Sequence, residues 1–229
     1  MSGGRFRHED KYIIDGMQAE ILKKRARAIM RPDSHIRADG YYSIKSLYFD
    51  SIDNECLFDS ANGNDPRAKF RIRLYNNDTG MIRLEKKIKQ RGLTLKRSAQ
   101  ISIEETAALV SGEPIALESI DNEVKKSLIS EIYNRGLFPV MIVEYERLPY
   151  VYPTSDIRFT LDRKISYSTD VRNFPDTGRM TPVNAGSGFY IMELKWNDYV
   201  PDIITEYLSV NTLQRSRFSK YYYCRSMTV

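Results

Sequence analysis

The first strand-like stretch of the chain, Arg5 to Ile14, alternates residue by residue yet offers no clean apolar face. With period two, Arg5, Arg7, Glu9 and Lys11 fall on one side before Ile13, and Phe6, His8, Asp10, Tyr12 and Ile14 fall on the other. The pattern returns further on. In 69–74, Lys69, Arg71 and Arg73 alternate with Phe70, Ile72 and Leu74, and in 82–89, Arg83, Glu85, Lys87 and Lys89 alternate with Ile82, Leu84, Lys86 and Ile88. In 158–162, Arg158, Thr160 and Asp162 oppose Phe159 and Leu161, and in 192–196, Glu193 and Lys195 oppose Met192, Leu194 and Trp196.

Further strands are predicted at 41–51, 93–102, 138–148 and 156–165, the hairpin between 75 and 82 being carried by the turn chemistry of Asn76 to Gly80. Helical spacing follows Asp15, an N-cap residue, with Met17, Ile21, Leu22, Ile29 and Met30 as apolar positions and Pro32 as the stop. Ser102 and Glu105 form a capping box for a short helix to about Val110, Gly136 ends a second helix from Asn122, and another short helix follows Ser51. The stretch from Ile203 to Tyr223 reads as helical or mixed. The expected architecture is α+β in one domain over 1–229.

One solvated strand face with charges at i, i+2 is ordinary in a one-sided antiparallel sheet. Five such faces dominated by Arg-x-Arg and Glu-x-Lys are better explained by a closed antiparallel β-barrel tunnel with the charged row inside and helices packed on the outside. Such an interior repels itself unless anions or water fill it. Charge is uneven along the chain, which carries +5 overall, for between Arg67 and Arg97 eleven basic residues face two acidic ones. A polyanionic partner follows, and a chain of phosphates suits the mixture, since Arg offers bidentate donors and Lys a compact charge. Among so many cations, Glu193 is the best candidate to hold a divalent ion, with Glu85 and Glu9 weaker; the alternative for these carboxylates is ion pairing with Lys195, Lys87 and Lys11.

With His8 and His35 the only histidines, a His-based metal cluster or a Ser/His/Asp triad has no basis. Cys56 and Cys224 form neither a disulfide framework nor a CxxC site, the N-terminus lacks a signal-peptide apolar region, and no apolar run reaches bilayer length. A cytoplasmic location with no membrane segment is the expectation. Nucleic acid is disfavoured as a partner because the basic residues share strand faces with glutamates and no nucleic-acid-binding motif is present.

In order, the chain contains R-x-E-x-K-Y (Arg7, Glu9, Lys11, Tyr12), S-L-Y-F-D (Ser46 to Asp50), K-x-R-x-R-x-Y (Lys69 to Tyr75) and E-x-K (Glu85, Lys87). These are followed by Y-x-R (Tyr145, Arg147), R-x-T-x-D (Arg158 to Asp162), E-x-K (Glu193, Lys195) and S-K-Y (Ser219 to Tyr221). This succession resembles the VTC domain, the polyphosphate polymerase branch of the triphosphate tunnel metalloenzymes, from about residue 5 to 223. The resemblance implies transfer of the γ-phosphate of ATP to inorganic polyphosphate with release of ADP. It implies phosphate grip by Lys11, Arg71, Arg73, Lys87, Arg147, Arg158 and Lys220, further substrate contacts from Arg7, Lys69, Lys96, Lys195 and Ser219, and Mn²⁺ or Mg²⁺ on Glu193 with Glu85. Two departures stand out. Related enzymes often show K-x-R after the central hairpin, where this chain has Lys96, Arg97 and Ser98. Tunnel hydrolases typically begin E-x-E-x-K, and Arg7 in place of the first glutamate favours holding phosphate over activating water. A tripolyphosphatase and a non-catalytic polyphosphate binder remain as alternatives.

Overall fold

The computed structural model describes residues 5–33, 36, 40–115, 120–172, 174–175, 182–186, 188–208 and 213–229. Ten strands form one antiparallel sheet: β1 (His8–Asp15), β2 (Arg31–Pro32), β3 (Tyr42–Asp50), β4 (Arg67–Tyr75), β5 (Ile82–Gln90), β6 (Leu93–Ile101), β7 (Phe138–Val151), β8 (Arg158–Ser168), β9 (Val183–Gly186) and β10 (Phe189–Trp196). The main path runs β1-β10-β8-β7-β3-β4-β5-β6, with β2 added to β7 and β9 to β8. The sheet curls until its edge strands meet at one isolated antiparallel bridge, in which Arg7 N donates to Thr94 O at 2.8 Å and Thr94 N donates back to Arg7 O at 2.9 Å.

The helices are α1 (Gly16–Ile29), α2 (Glu55–Ala61), α3 (Ile103–Ser111), α4 (Glu123–Arg135), α5 (Asp202–Leu208) and α6 (Lys220–Arg225). Sequence signals set several ends. Asp15 and Gln18 form a capping box on α1, Ser102 and Glu105 form one on α3, and Gly136 closes α4 in the left-handed conformation at φ 61°. At Asn76 and Asn77, φ of 54° and 57° begins the β4–β5 turn, a conformation Asn tolerates.

Period two divides the sheet as the sequence predicts. The outward rows of β3 to β6 bury Leu47, Phe70, Ile72, Leu84 and Ala99 beneath Leu109 of α3 and Leu128 of α4. The outward rows of β7, β8, β10 and β1 bury Tyr150, Phe159, Leu161, Met192 and Ile14 beneath Leu22 and Ala26 of α1 and Ile204 of α5. A third cluster lies on the inner face, where Ile44, Tyr48, Val143 and Ile191 meet Leu57 of α2 and Tyr221 and Cys224 of α6. The two small helices therefore occupy the barrel's interior at the end where β3 finishes.

Two details differ from the sequence reading, and one, Lys86 in the apolar row, agrees with it. Met17 and Ile21, expected on the buried stripe of α1, are 76% and 40% exposed, because Ala19 and Ala26 bring the helix close to the sheet through its other face. Lys86 sits in the outer, apolar row, where its ammonium covers the Phe70 ring at 5.1 Å and donates to Ser127 Oγ of α4 at 2.6 Å. The short strands β2 and β9 carry no alternation long enough to be read.

Leu22→Ala should lower unfolding free energy by about 2–5 kcal/mol, whereas Met17→Ala should stay within about 0.5 kcal/mol. Denaturant titration of both variants checks this through the shift in midpoint.

Candidate functional site

The inner rows converge on three groups of charge. In the first, the Glu9 carboxylate of β1 accepts from Lys87 Nζ of β5 at 2.7 Å and from Thr94 Oγ1 of β6 at 3.2 Å, so it ties the two sheet edges together. Lys11 and Lys195 lie 3.6 and 3.8 Å from the same carboxylate. In the second, Arg147 makes a bidentate pair with Asp162 at 2.6 and 2.7 Å and reaches Glu193 at 3.2 Å. Glu193 also receives Lys195 at 2.7 Å, Lys220 at 3.3 Å and Lys11 at 3.5 Å, while Lys220 bridges to Asp162 at 2.5 Å. In the third, Glu85 is held by Arg71 at 2.7 Å, Lys96 at 2.9 Å and Arg73 at 3.5 Å. Arg71 donates to the Tyr48 hydroxyl, and Arg73 to Ser46 Oγ and the Tyr145 hydroxyl.

Helix α6 brings Lys220 into this space from inside. Its partner Tyr221 donates to the buried Asp50, which also accepts from the backbone N–H groups of Cys56 at 2.8 Å and Leu57 at 3.0 Å and so caps α2. Tyr221 stacks on Tyr48 with centroids 5.0 Å apart, and Lys69 Nζ lies 4.9 Å from the Tyr221 ring centre.

Burial acts against the charged form of every one of these groups, and the neighbours decide the outcome. Glu9, Glu85 and Glu193 are desolvated, which alone would raise their pKa, but the surrounding ammonium and guanidinium groups outweigh this and hold all three well below the carboxylate range. The cations divide. Burial lowers Lys220, yet Asp162 and Glu193 more than compensate and its pKa rises. Lys87 shares the single carboxylate of Glu9 with Lys11 and Lys195, so burial and ammonium repulsion win and bring it down to about 7. Lys69 has a ring but no ion-paired carboxylate, and burial lowers it to about 8. Positive charge in the tunnel is thus greater than its carboxylates balance.

The structure gathers most of the expected site residues: Lys11, Arg71, Arg73, Lys87, Lys96, Arg147, Lys195, Lys220, Glu85 and Glu193 all belong to these three groups, with Lys69 beside them. Arg158 stands apart, paired with Asp33 and 42% exposed in its side chain. Arg7 supplies the backbone bridge that joins the sheet edges. Ser219 is the N-cap of α6, its hydroxyl accepting from Tyr222 N at 3.3 Å. Lys96 faces Glu85, Arg97 pairs in register with the outward Lys86, and Ser98 takes the inner position across from Glu85. The sequence places Asp162 and Arg83 in charged rows without assigning either a role in the site. Both lie in inner rows flagged by their i, i+2 spacing, and Arg83 stands in register with Arg73. His8 stacks on Trp196 in the outer row and His35 lies outside the described residues.

No three His, Cys, Asp or Glu side chains converge as a metal-binding group among the described residues. Hard divalent ions in phosphate sites commonly take only one or two carboxylates, the substrate's phosphates and water supplying the rest. Glu193 and Glu9, linked through their shared partners Lys11 and Lys195, fit that demand. Glu85 has three cations and no second carboxylate in its ion-pair set, so its arrangement is that of a counter-ion.

This curled antiparallel sheet also occurs in solved structures. A candidate adenylate cyclase from Bacillus halodurans is 16% identical, covers 86% of this chain and 83% of its own, and superposes with a TM-score of 0.52. The PH1012 protein from Pyrococcus horikoshii is 11% identical, covers 95% and 99%, and has a TM-score of 0.51. At these identities the likeness is one of fold. No curated protein matches the chain in sequence. The VTC domain model matches residues 6–229, and the chain belongs to the VTC domain family. No helix among the described residues is long and apolar enough to cross a membrane.

Lys87 and Lys69 are protonated below about 7 and about 8 and lose charge above these values. Affinity for tripolyphosphate should therefore fall as pH rises through this window, although the ligand itself becomes more anionic. Calorimetric titration at a series of pH values checks the sign, and Lys87→Arg with Lys69→Arg should flatten the dependence.

Proposed function

We propose that this protein is an ATP-dependent polyphosphate polymerase that transfers the γ-phosphate of ATP to the end of a polyphosphate chain and releases ADP. The observation that carries this reading is the tunnel wall itself, in which nine cations, Lys11, Lys69, Arg71, Arg73, Lys87, Lys96, Arg147, Lys195 and Lys220, outnumber five buried carboxylates, Glu9, Asp50, Glu85, Asp162 and Glu193. A phosphate chain, with roughly one negative charge per phosphate, supplies what the wall lacks.

Phosphoryl transfer needs alignment and charge stabilisation more than a covalent nucleophile, because the acceptor phosphate brings its own attacking oxygen. The side chains present agree with that demand. Cys56 and Cys224 are buried with thiols pushed up to about 12, which leaves them unreactive at neutral pH, and no histidine among the described residues lies in the inner rows. In this reading Arg71, Arg73 and Arg147 orient phosphate oxygens through planar donors, while Lys11, Lys87, Lys195 and Lys220 stabilise charge that develops as the bridging oxygen leaves. Glu193 and Glu9 would hold Mn²⁺ or Mg²⁺, which when bound neutralises phosphate charge and polarises the transferred group. Arg7, where tunnel hydrolases have glutamate, favours chain building over hydrolysis.

Incubation of the purified protein with ATP and Mn²⁺, followed by electrophoresis of the products, tests the proposal. A ladder of polyphosphate is expected; free phosphate alone would assign a triphosphatase, and tight salt-sensitive binding without turnover would assign a binding module. Arg71→Ala should cut kcat/KM by about 100-fold or more, the usual scale for losing one transition-state donor. The melting temperature should change little, since Glu85 keeps Arg73 and Lys96 as partners. A large fall in melting temperature with unchanged turnover would make Arg71 a structural ion-pair partner.

A further inference from the structure

Among the described residues, the buried polar side-chain atoms of the inner strand rows have protein partners, with Thr160 Oγ1 as the exception. Its neighbours Phe159 and Leu161 belong to the outer core, while Asp162, two residues on, binds Arg147 and Lys220 inside, so Thr160 faces the tunnel. It is 3% exposed, and its Oγ1 has no hydrogen-bond partner; among the described residues it is the only such side-chain atom in the inner strand rows. Thr160 stands directly across from Glu193 in the β8–β10 register and from Pro149 in the β7–β8 register. The wall offers it nothing. Proline has no N–H, and the Glu193 carboxylate is already occupied by Arg147, Lys195, Lys220 and Lys11.

A buried hydroxyl without a partner costs stability comparable to a lost hydrogen bond, so its presence calls for a ligand that completes it. The surrounding cations select an anionic oxygen as that ligand. We propose that Thr160 is a substrate-binding residue whose hydroxyl donates a hydrogen bond to a phosphoryl oxygen held beside Glu193. The assignment rests on the phosphate-tunnel reading above. A neutral donor at this point fixes the rotation of one phosphoryl group about the chain, which point-charge lysines on either side leave free.

Thr160→Val preserves shape and removes the hydroxyl, and Thr160→Ser restores it. Calorimetric titration with inorganic tripolyphosphate in the absence of metal should give a dissociation constant roughly 10- to 100-fold higher for Thr160→Val, the range expected for a hydrogen bond to a charged group, and near wild type for Thr160→Ser. The melting temperature of unliganded Thr160→Val should stay level or rise, because no protein partner is lost. If Thr160→Val binds as tightly as wild type, water satisfies the hydroxyl and the assignment is overturned. It is also overturned if Thr160→Val is destabilised and Thr160→Ser does not recover affinity. A wild-type protein that binds no tripolyphosphate overturns the phosphate-tunnel reading together with it.

Discussion

The constraint on which the rest of this structure depends is the enclosure of more positive than negative charge inside a barrel of protein. Ions taken out of water carry a large desolvation penalty that only close partners offset. Four carboxylates partly meet that need, each shared by two or more cations, and this sharing explains why their pKa values lie low while those of Lys87 and Lys69 are also lowered. A completely balanced interior would be more stable and would have nothing left with which to bind an anion.

The apolar material is arranged around this constraint. Because the charged rows point inward, each strand's hydrophobic row points outward and requires a cover, which α1 and α5 provide on one side and α3 and α4 on the other. Stability is thereby placed in the two outer cores, and the inner wall is free to hold groups that cost energy. The inner apolar cluster under α2 and α6 serves differently. Asp50 caps α2 and holds Tyr221, so the helix that delivers Lys220 is anchored through a carboxylate that binds backbone N–H groups and a hydroxyl and forms no ion pair with the wall's cations.

Much of this was legible in the sequence because period-two alternation is a local signal that survives folding. Arg71 with Arg73, and Glu193 with Lys195, could be assigned to one face without knowledge of their neighbours, and the N-cap at Asp15 and the capping box at Ser102 marked helix starts. What alternation does not carry is the identity of partners across strands. The sharing of Glu9 among three lysines, the engagement of Arg158 by Asp33 and the capping role of Ser219 depend on tertiary placement. The exposure of Met17 and Ile21 has a similar origin: two alanines let α1 approach the sheet more closely on a face that hydrophobicity alone ranks second.

The seam between β1 and β6 gives the barrel a mechanical character of its own. Neighbouring strands elsewhere on the main path are joined by runs of paired residues, while this junction has one backbone bridge, at Arg7 and Thr94, reinforced by Glu9 reaching Lys87 and Thr94. Local opening free energy follows the number of bonds that must break, so this line parts at less cost than any other line along the wall. The molecule is a cuff with a clasp rather than a seamless pipe.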